Sequence, residues 1–147
     1  MAEWIKEYGA QKITQISDTT REDISTIVQQ GIQEGESESG MAKLIRAAAR
    51  TKSASRAQTI ARTETHAASQ ASSQASAEAT GIQMERVWVS VEGPRTRATH
   101  DAADGQRVGM NEPFVVGGAE LRYPGDPNGP AAEVINCRCA VVFEPVD

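Results

Sequence analysis

The sequence predicts an α+β chain: about three N-terminal helices followed by a small antiparallel β-sheet with long loops. Three observations carry that expectation. Apolar residues recur at helical spacing through the first half of the chain, and the spacing shortens to two after Gly81. All six prolines (94, 113, 124, 127, 130, 145) and both cysteines lie beyond that change. A division into a helical region, 1–81, and a β-rich region, 82–147, follows, with the third helix packed into one unit with the second region.

The first sixteen residues are amphipathic and weakly patterned, with Trp4, Ile5, Tyr8, Ile13 and Ile16 apolar, and fit a short helix or strand. Thr19 to Glu22 has capping-box spacing, and Ile24, Ile27, Val28 and Ile32 follow at helical intervals, which predicts a helix over about 20–33. Gly35 and the polar run to Gly40 end it. Met41, Leu44, Ile45 and Ala48 share one face of a second helix, about 40–50. Ser53 is placed to cap a third, about 54–80, whose face is almost entirely alanine after Ile60 and which stops at Gly81.

Val87, Val89 and Val91 alternate with polar residues and Trp88, so 83–91 reads as a strand. Val108 begins another short strand. Phe114-Val115-Val116 and Glu120 to Tyr123, joined across Gly117-Gly118, read as a β-hairpin. Residues 124–133 form a loop rich in Pro, Gly, Asp and Asn, and the last strand spans about Cys139 to Phe143.

Composition narrows the function. The chain has 147 residues, enough for one domain with a useful core, but only 4% aromatic residues, so Ile, Val, Leu and Ala must fill it. A net charge of -5 argues against a dominant phosphate-binding surface. Lys43, Arg46, Arg50, Lys52, Arg56 and Arg62 form an acid-free run that suits a solvated helical face or a nucleic-acid site. No apolar run reaches about 18 residues, so no membrane helix is expected. The N-terminus lacks the apolar core of a signal peptide, which points to a reducing cytoplasm.

Within the second region, His100, Cys137 and Cys139 form the strongest chemical constellation. Two cysteines at i and i+2 are poorly placed to bridge one another, but on an extended segment both sulfurs point to one side. Thiolates with an imidazole are zinc ligands, and Asp101, Asp104, His66 or a water could supply a fourth. The other reading makes both cysteines small buried apolar residues and gives His100 a hydrogen bond to a loop carbonyl. Arg62, Glu64, Arg95 and Arg97 suit an ion-pair network, for example Glu64 with Arg95 or Arg97, tying helix to sheet. Asp126, in the turn series Tyr123-Pro124-Gly125-Asp126-Pro127, is placed to accept local backbone N–H groups, and Asn136 likewise. Trp88, Phe114 and Phe143 are expected in the core of the sheet.

Ala61-Arg62-Thr63-Glu64-Thr65, Trp88, Arg95-Thr96-Arg97 with His100, Asp104-Gly105, Phe114, Tyr123 to Pro127 and Ile135-Asn136-Cys137-Arg138-Cys139 together resemble the phage Mu F-like family. These are minor head, or head morphogenesis, proteins of tailed phages and prophages. The resemblance covers the chain from about residue 13. It implies a structural protein of the virion head, present in few copies at the portal vertex and acting in head assembly or DNA delivery. Implied partners are the portal protein, other capsid proteins and packaged DNA; self-association is a separate expectation. Family members are commonly longer or fused to other domains, so a compact or truncated representative is expected. His66, directly after the Ala-Arg-Thr-Glu-Thr string, matches no fixed ligand of the family. The reading from another class is a zinc-dependent hydrolase or nuclease using His100, Cys137 and Cys139, although His-Glu-x-x-His, Gly-x-Ser-x-Gly and Pro-Cys-x-x-Cys motifs are absent from the sequence.

Overall fold

A computed structural model describes residues 2–9, 18–48 and 54–146. The chain forms two compact units, 1–68 and 69–147. One long helix runs through both.

In the first unit, α1 (Ala2–Tyr8), α2 (Asp18–Glu34), α3 (Glu38–Ala48) and the start of α4 (Ala54–Ala79) enclose an aliphatic core. Ile5, Ile24, Val28, Met41, Ile45, Ala57 and Ala61 are among its buried members. The opening segment, left between helix and strand by its pattern, is helical as far as it is described. Ile13, Ile16 and the Ser53 cap lie outside the described residues. So does the side chain of Thr19, whose helix begins one residue earlier, at Asp18.

The connection from α2 to α3 follows from two residues. Gly35 takes a left-handed φ of 72°. That lets the Glu36 N–H reach back to the Gly31 carbonyl at 2.8 Å, closing the helix end. Ser37 Oγ then accepts the Gly40 N–H at 3.0 Å and so satisfies a free donor at the start of α3. Glu38 of α3 holds Arg62 of α4 at 3.1 Å. Because both side chains are partly exposed, such a pair is worth under about 1 kcal/mol, and apolar packing carries most of the association.

The second unit contains β1 (Met84–Val89), α5 (Ala98–Ala102), β2 (Arg107–Gly109), β3 (Phe114–Val116), β4 (Ala119–Leu121), α6 (Ala131–Val134) and β5 (Ala140–Pro145). Its strands form two antiparallel sheets, a three-stranded one in the order β2-β1-β5 and the β3-β4 hairpin. Trp88 lies opposite Val141, and Phe114 opposite Leu121. Gly117 and Gly118 have φ of 59° and 79°, the positive pair that a tight two-residue hairpin turn demands. Gln106 joins the sheets: its amide accepts the Val115 N–H at 2.7 Å and donates to the Val115 carbonyl at 3.0 Å.

Trp88, Phe114, Val116, Leu121, Val134, Cys137 and Cys139 make the second core. The Trp88 and Phe114 rings meet edge to face at 5.3 Å. Phe143, expected with them, is only partly buried. The two short helices go beyond expectation: α6 falls largely within the expected 124–133 loop, and α5 lies in a stretch to which the pattern assigns no element. With five and four residues they are too short to show a helical period, and tertiary contacts hold them instead.

Candidate metal centre

Three separate pieces of the second unit deliver the side chains. Arg97, at φ -66° and ψ 142°, turns the chain into α5, which places His100 inward at 2% exposure. Pro130 starts α6 with its φ already near the helical value, and Asn136 at φ 58° reverses the chain after it. Asparagine tolerates this left-handed conformation better than other residues with a Cβ. The segment that follows alternates: Cys137 is buried, Arg138 exposed and Cys139 buried. Both sulfurs therefore face inward.

The imidazole Nδ1 lies 3.3 Å from Cys139 Sγ and 3.8 Å from Cys137 Sγ. All three ligand atoms fall within 4.8 Å of one another, and both thiols are free. For a tetrahedral zinc, bonds of about 2.3 Å to sulfur and about 2.0 Å to nitrogen require an N···S edge of about 3.5 Å. The two observed edges bracket that length. The imidazole also packs against the Trp88 ring at a near-perpendicular 83°, with centroids 5.7 Å apart.

Behind the histidine stands Glu133. Its Oε2 is 3.1 Å from His100 Nε2, within ion-pair distance but outside the angular range of a hydrogen bond. The same oxygen accepts the Thr99 hydroxyl at 2.8 Å. A carboxylate facing the far nitrogen is the usual support of a metal-binding histidine, because it fixes the tautomer and the ring orientation.

The sulfurs are electronically unequal. Cys139 is held below the ordinary thiol range, chiefly because its sulfur accepts the Cys137 S–H and, against the opposing effect of burial, also pairs with His100. Donating that proton, together with burial, pushes Cys137 up. One thiolate shared between two sulfurs is thus already favoured.

Of the other residues singled out by sequence, Asp101 is exposed, and Asp104 accepts the Ser90 N–H at 2.7 Å. Neither belongs to the converging group among the described residues, and neither does His66, on α4 in the first unit. Arg97 donates to the Ile135 carbonyl, so it pins the loop that carries the cysteines. Arg62 pairs with Glu38, Glu64 is buried on α4, and Arg95 is exposed. Asp126, at 2% exposure, accepts the Arg122 and Asn128 N–H groups at 2.9 and 3.0 Å, along with the Arg122 guanidinium.

Sequence reasoning missed two residues. Glu133 sits in a stretch read as loop and carries no motif. Arg86 is 2% exposed and is the polar hub of the unit. Its guanidinium donates to the carbonyls of Gly109, Glu112 and Arg122 and to Gln74 of α4. It also lies over the Phe114 ring at 5.1 Å. Burial lowers its pKa, although Glu78 and Glu112 oppose the shift. The signal was present: Arg86 shares its strand parity with Trp88, so a core-facing Trp implies a core-facing Arg.

Comparison with known proteins gives one family and one relative. The family model described as Phage Mu protein F like protein matches residues 22–142. The NAD(+)--arginine ADP-ribosyltransferase EFV of Enterococcus faecalis (strain ATCC 700802 / V583) is 34% identical over 62 residues, which is 42% of this chain and 12% of that protein. No solved structure matches.

Proposed function

The chain belongs to the phage Mu protein F-like family of head morphogenesis proteins, and from that premise we propose that it works at the portal vertex of the virion head. In this reading it is a minor structural component that contacts portal and other capsid subunits during head assembly or DNA delivery. The observation that carries the reading is the extent of the family match, from within α2 to the middle of β5 and so across both units. The chemistry of the fold agrees with a structural role. Arg86 and Asp126, the most deeply buried charged side chains beside the metal centre, are both engaged with backbone groups of their own unit.

A contact surface is available on the three-stranded sheet. Val89 and Val142 are 39% and 45% exposed. They lie on one face, because Val142 is opposite Val87 and Ala140 opposite Val89. Protein partners suit such a face, and the net charge of -5 makes packaged DNA the weaker partner.

The test is to remove the gene from its phage or prophage and weigh the particles that form. Under this reading the protein is found in few copies per wild-type head and co-purifies with the portal protein, and its loss reduces the yield of filled heads. Absence from purified heads, with normal assembly in the deletion, would sink it. Any DNA contact must weaken as salt is raised; a shift insensitive to salt removes that part.

The second reading is a zinc-dependent hydrolase or nuclease, favoured by the thiol, imidazole and carboxylate aligned through Cys139, His100 and Glu133. Burial opposes it, since His100 and Cys139 are only 2% and 3% exposed and a substrate must reach the reacting atom. The ADP-ribosyltransferase similarity adds nothing to it, being confined to 12% of that protein. His100→Ala separates the readings: impaired assembly or stability follows from a structural role, whereas an enzyme would lose turnover and keep its fold.

A further inference from the structure

We propose that His100 Nδ1, Cys137 Sγ and Cys139 Sγ bind a zinc ion that closes the second unit, with Glu133 as the positioning residue for the imidazole. Four independent features converge on it. The donor set is soft sulfur with imidazole nitrogen, the combination zinc prefers and magnesium or calcium does not. The N···S distances of 3.3 and 3.8 Å lie on either side of the edge a tetrahedral ion imposes. The strand-like alternation through exposed Arg138 aims both sulfurs at one point. Finally, His100 Nε2 is buried with no hydrogen bond, yet lies 3.1 Å from Glu133 Oε2. Metal on Nδ1 fixes the proton on Nε2, and a small rotation of the ring then turns that N–H onto the waiting carboxylate.

Binding requires both sulfurs as thiolates, so the proton held between them leaves to solvent as the ion enters. Among the described residues no fourth protein ligand joins the three, and the remaining position of the tetrahedron goes to water. The gain is topological. His100 lies 37 and 39 positions from its partners, so the ion fastens α5 to the segment between α6 and β5 across a long loop. Small cores gain most from such a staple.

The experiment uses the full-length chain, purified reduced, without an affinity tag or chelator. About one zinc per chain by mass spectrometry is expected, since the site holds a single ion, and Cys137→Ser and Cys139→Ser should each lose it. Because those variants could fail through misfolding alone, the wild-type chain is also stripped and refilled with cobalt(II). Thiolate-to-cobalt charge-transfer absorption and the intense visible bands of tetrahedral cobalt are the expected signature. Glu133→Gln should keep that spectrum while zinc affinity drops about 10- to 100-fold. A folded, reduced wild-type chain that holds no zinc and gives no cobalt–thiolate bands overturns the site. Zinc that survives both cysteine substitutions overturns it equally, as adventitious binding. Unchanged affinity in Glu133→Gln removes Glu133 from its assigned role.

Discussion

Asp126 keeps a proline-rich loop in one conformation by placing a carboxylate where four N–H groups converge. Burial alone would raise its pKa, but hydrogen bonds from the Arg122 side chain and from the Arg122 and Asn128 backbones more than offset this and leave it below the ordinary carboxylate range. The folded value is therefore below the unfolded value of about 3.9. With that sign, the charge contributes stability in full above the unfolded pKa and loses it as pH falls through the folded one. Asp126→Asn should cost about 1–3 kcal/mol at neutral pH by leaving buried donors poorly matched. The gap from wild type should narrow below about pH 4, where the wild-type carboxylate begins to protonate. Urea unfolding at neutral and acid pH measures this, and a gap that is constant with pH would contradict it. The role of Asp126 was legible because Asp in a Pro-Gly turn has few other uses. Arg86 was not read, because a charged residue within a strand looks like its solvent face until the parity of Trp88 is compared with it.

Elements were legible in proportion to their length. The long helices α2, α3 and α4 repeat their apolar face over several turns, and β1 alternates over six residues. The short α5 and α6 repeat nothing, and these two bring His100 and Glu133 together. The metal ligands themselves could be named from sequence because their chemistry is unusual, whereas the supporting glutamate needed the fold. The hairpin turn is the clearest local rule, and it allows a comparison within one turn. Both glycines need positive φ, so alanine at either costs about 1–2 kcal/mol. A Cβ on Gly118 meets nothing within 4 Å, but on Gly117 it would sit 2.5 Å from Glu133 Oε1. That carboxylate is held by Thr99 and faces His100. Gly117→Ala should therefore destabilise more than Gly118→Ala and also weaken metal retention, read by thermal unfolding with and without added zinc. Equal effects at the two positions would show that Glu133 moves aside freely.

At the scale of the molecule, the change in sequence period and the change in packing fall at different places. The period changes at Gly81, where α4 has ended. The division between compact units falls earlier, between residues 68 and 69. Ahead of it, Ala57, Ile60, Ala61 and Ala68 join the aliphatic core. Beyond it, Ala71 and Ala77 are still buried, but Gln70 accepts the Val141 N–H at 3.3 Å and Gln74 accepts Arg86 at 3.0 Å, so the helix adds polar attachments to apolar ones along its length. A sequence pattern shows that a helix continues but not which core each turn serves. Two cores predict two regions of response. Ile24→Ala and Leu121→Ala both empty fully buried sites and should each cost about 2–5 kcal/mol locally. Hydrogen exchange should show Ile24→Ala lowering protection chiefly in α2 and α3, and Leu121→Ala chiefly in the strands. Equal loss of protection in β1 and β5 from Ile24→Ala would instead mean that the chain opens as one cooperative body, with α4 transmitting the defect from one core to the other.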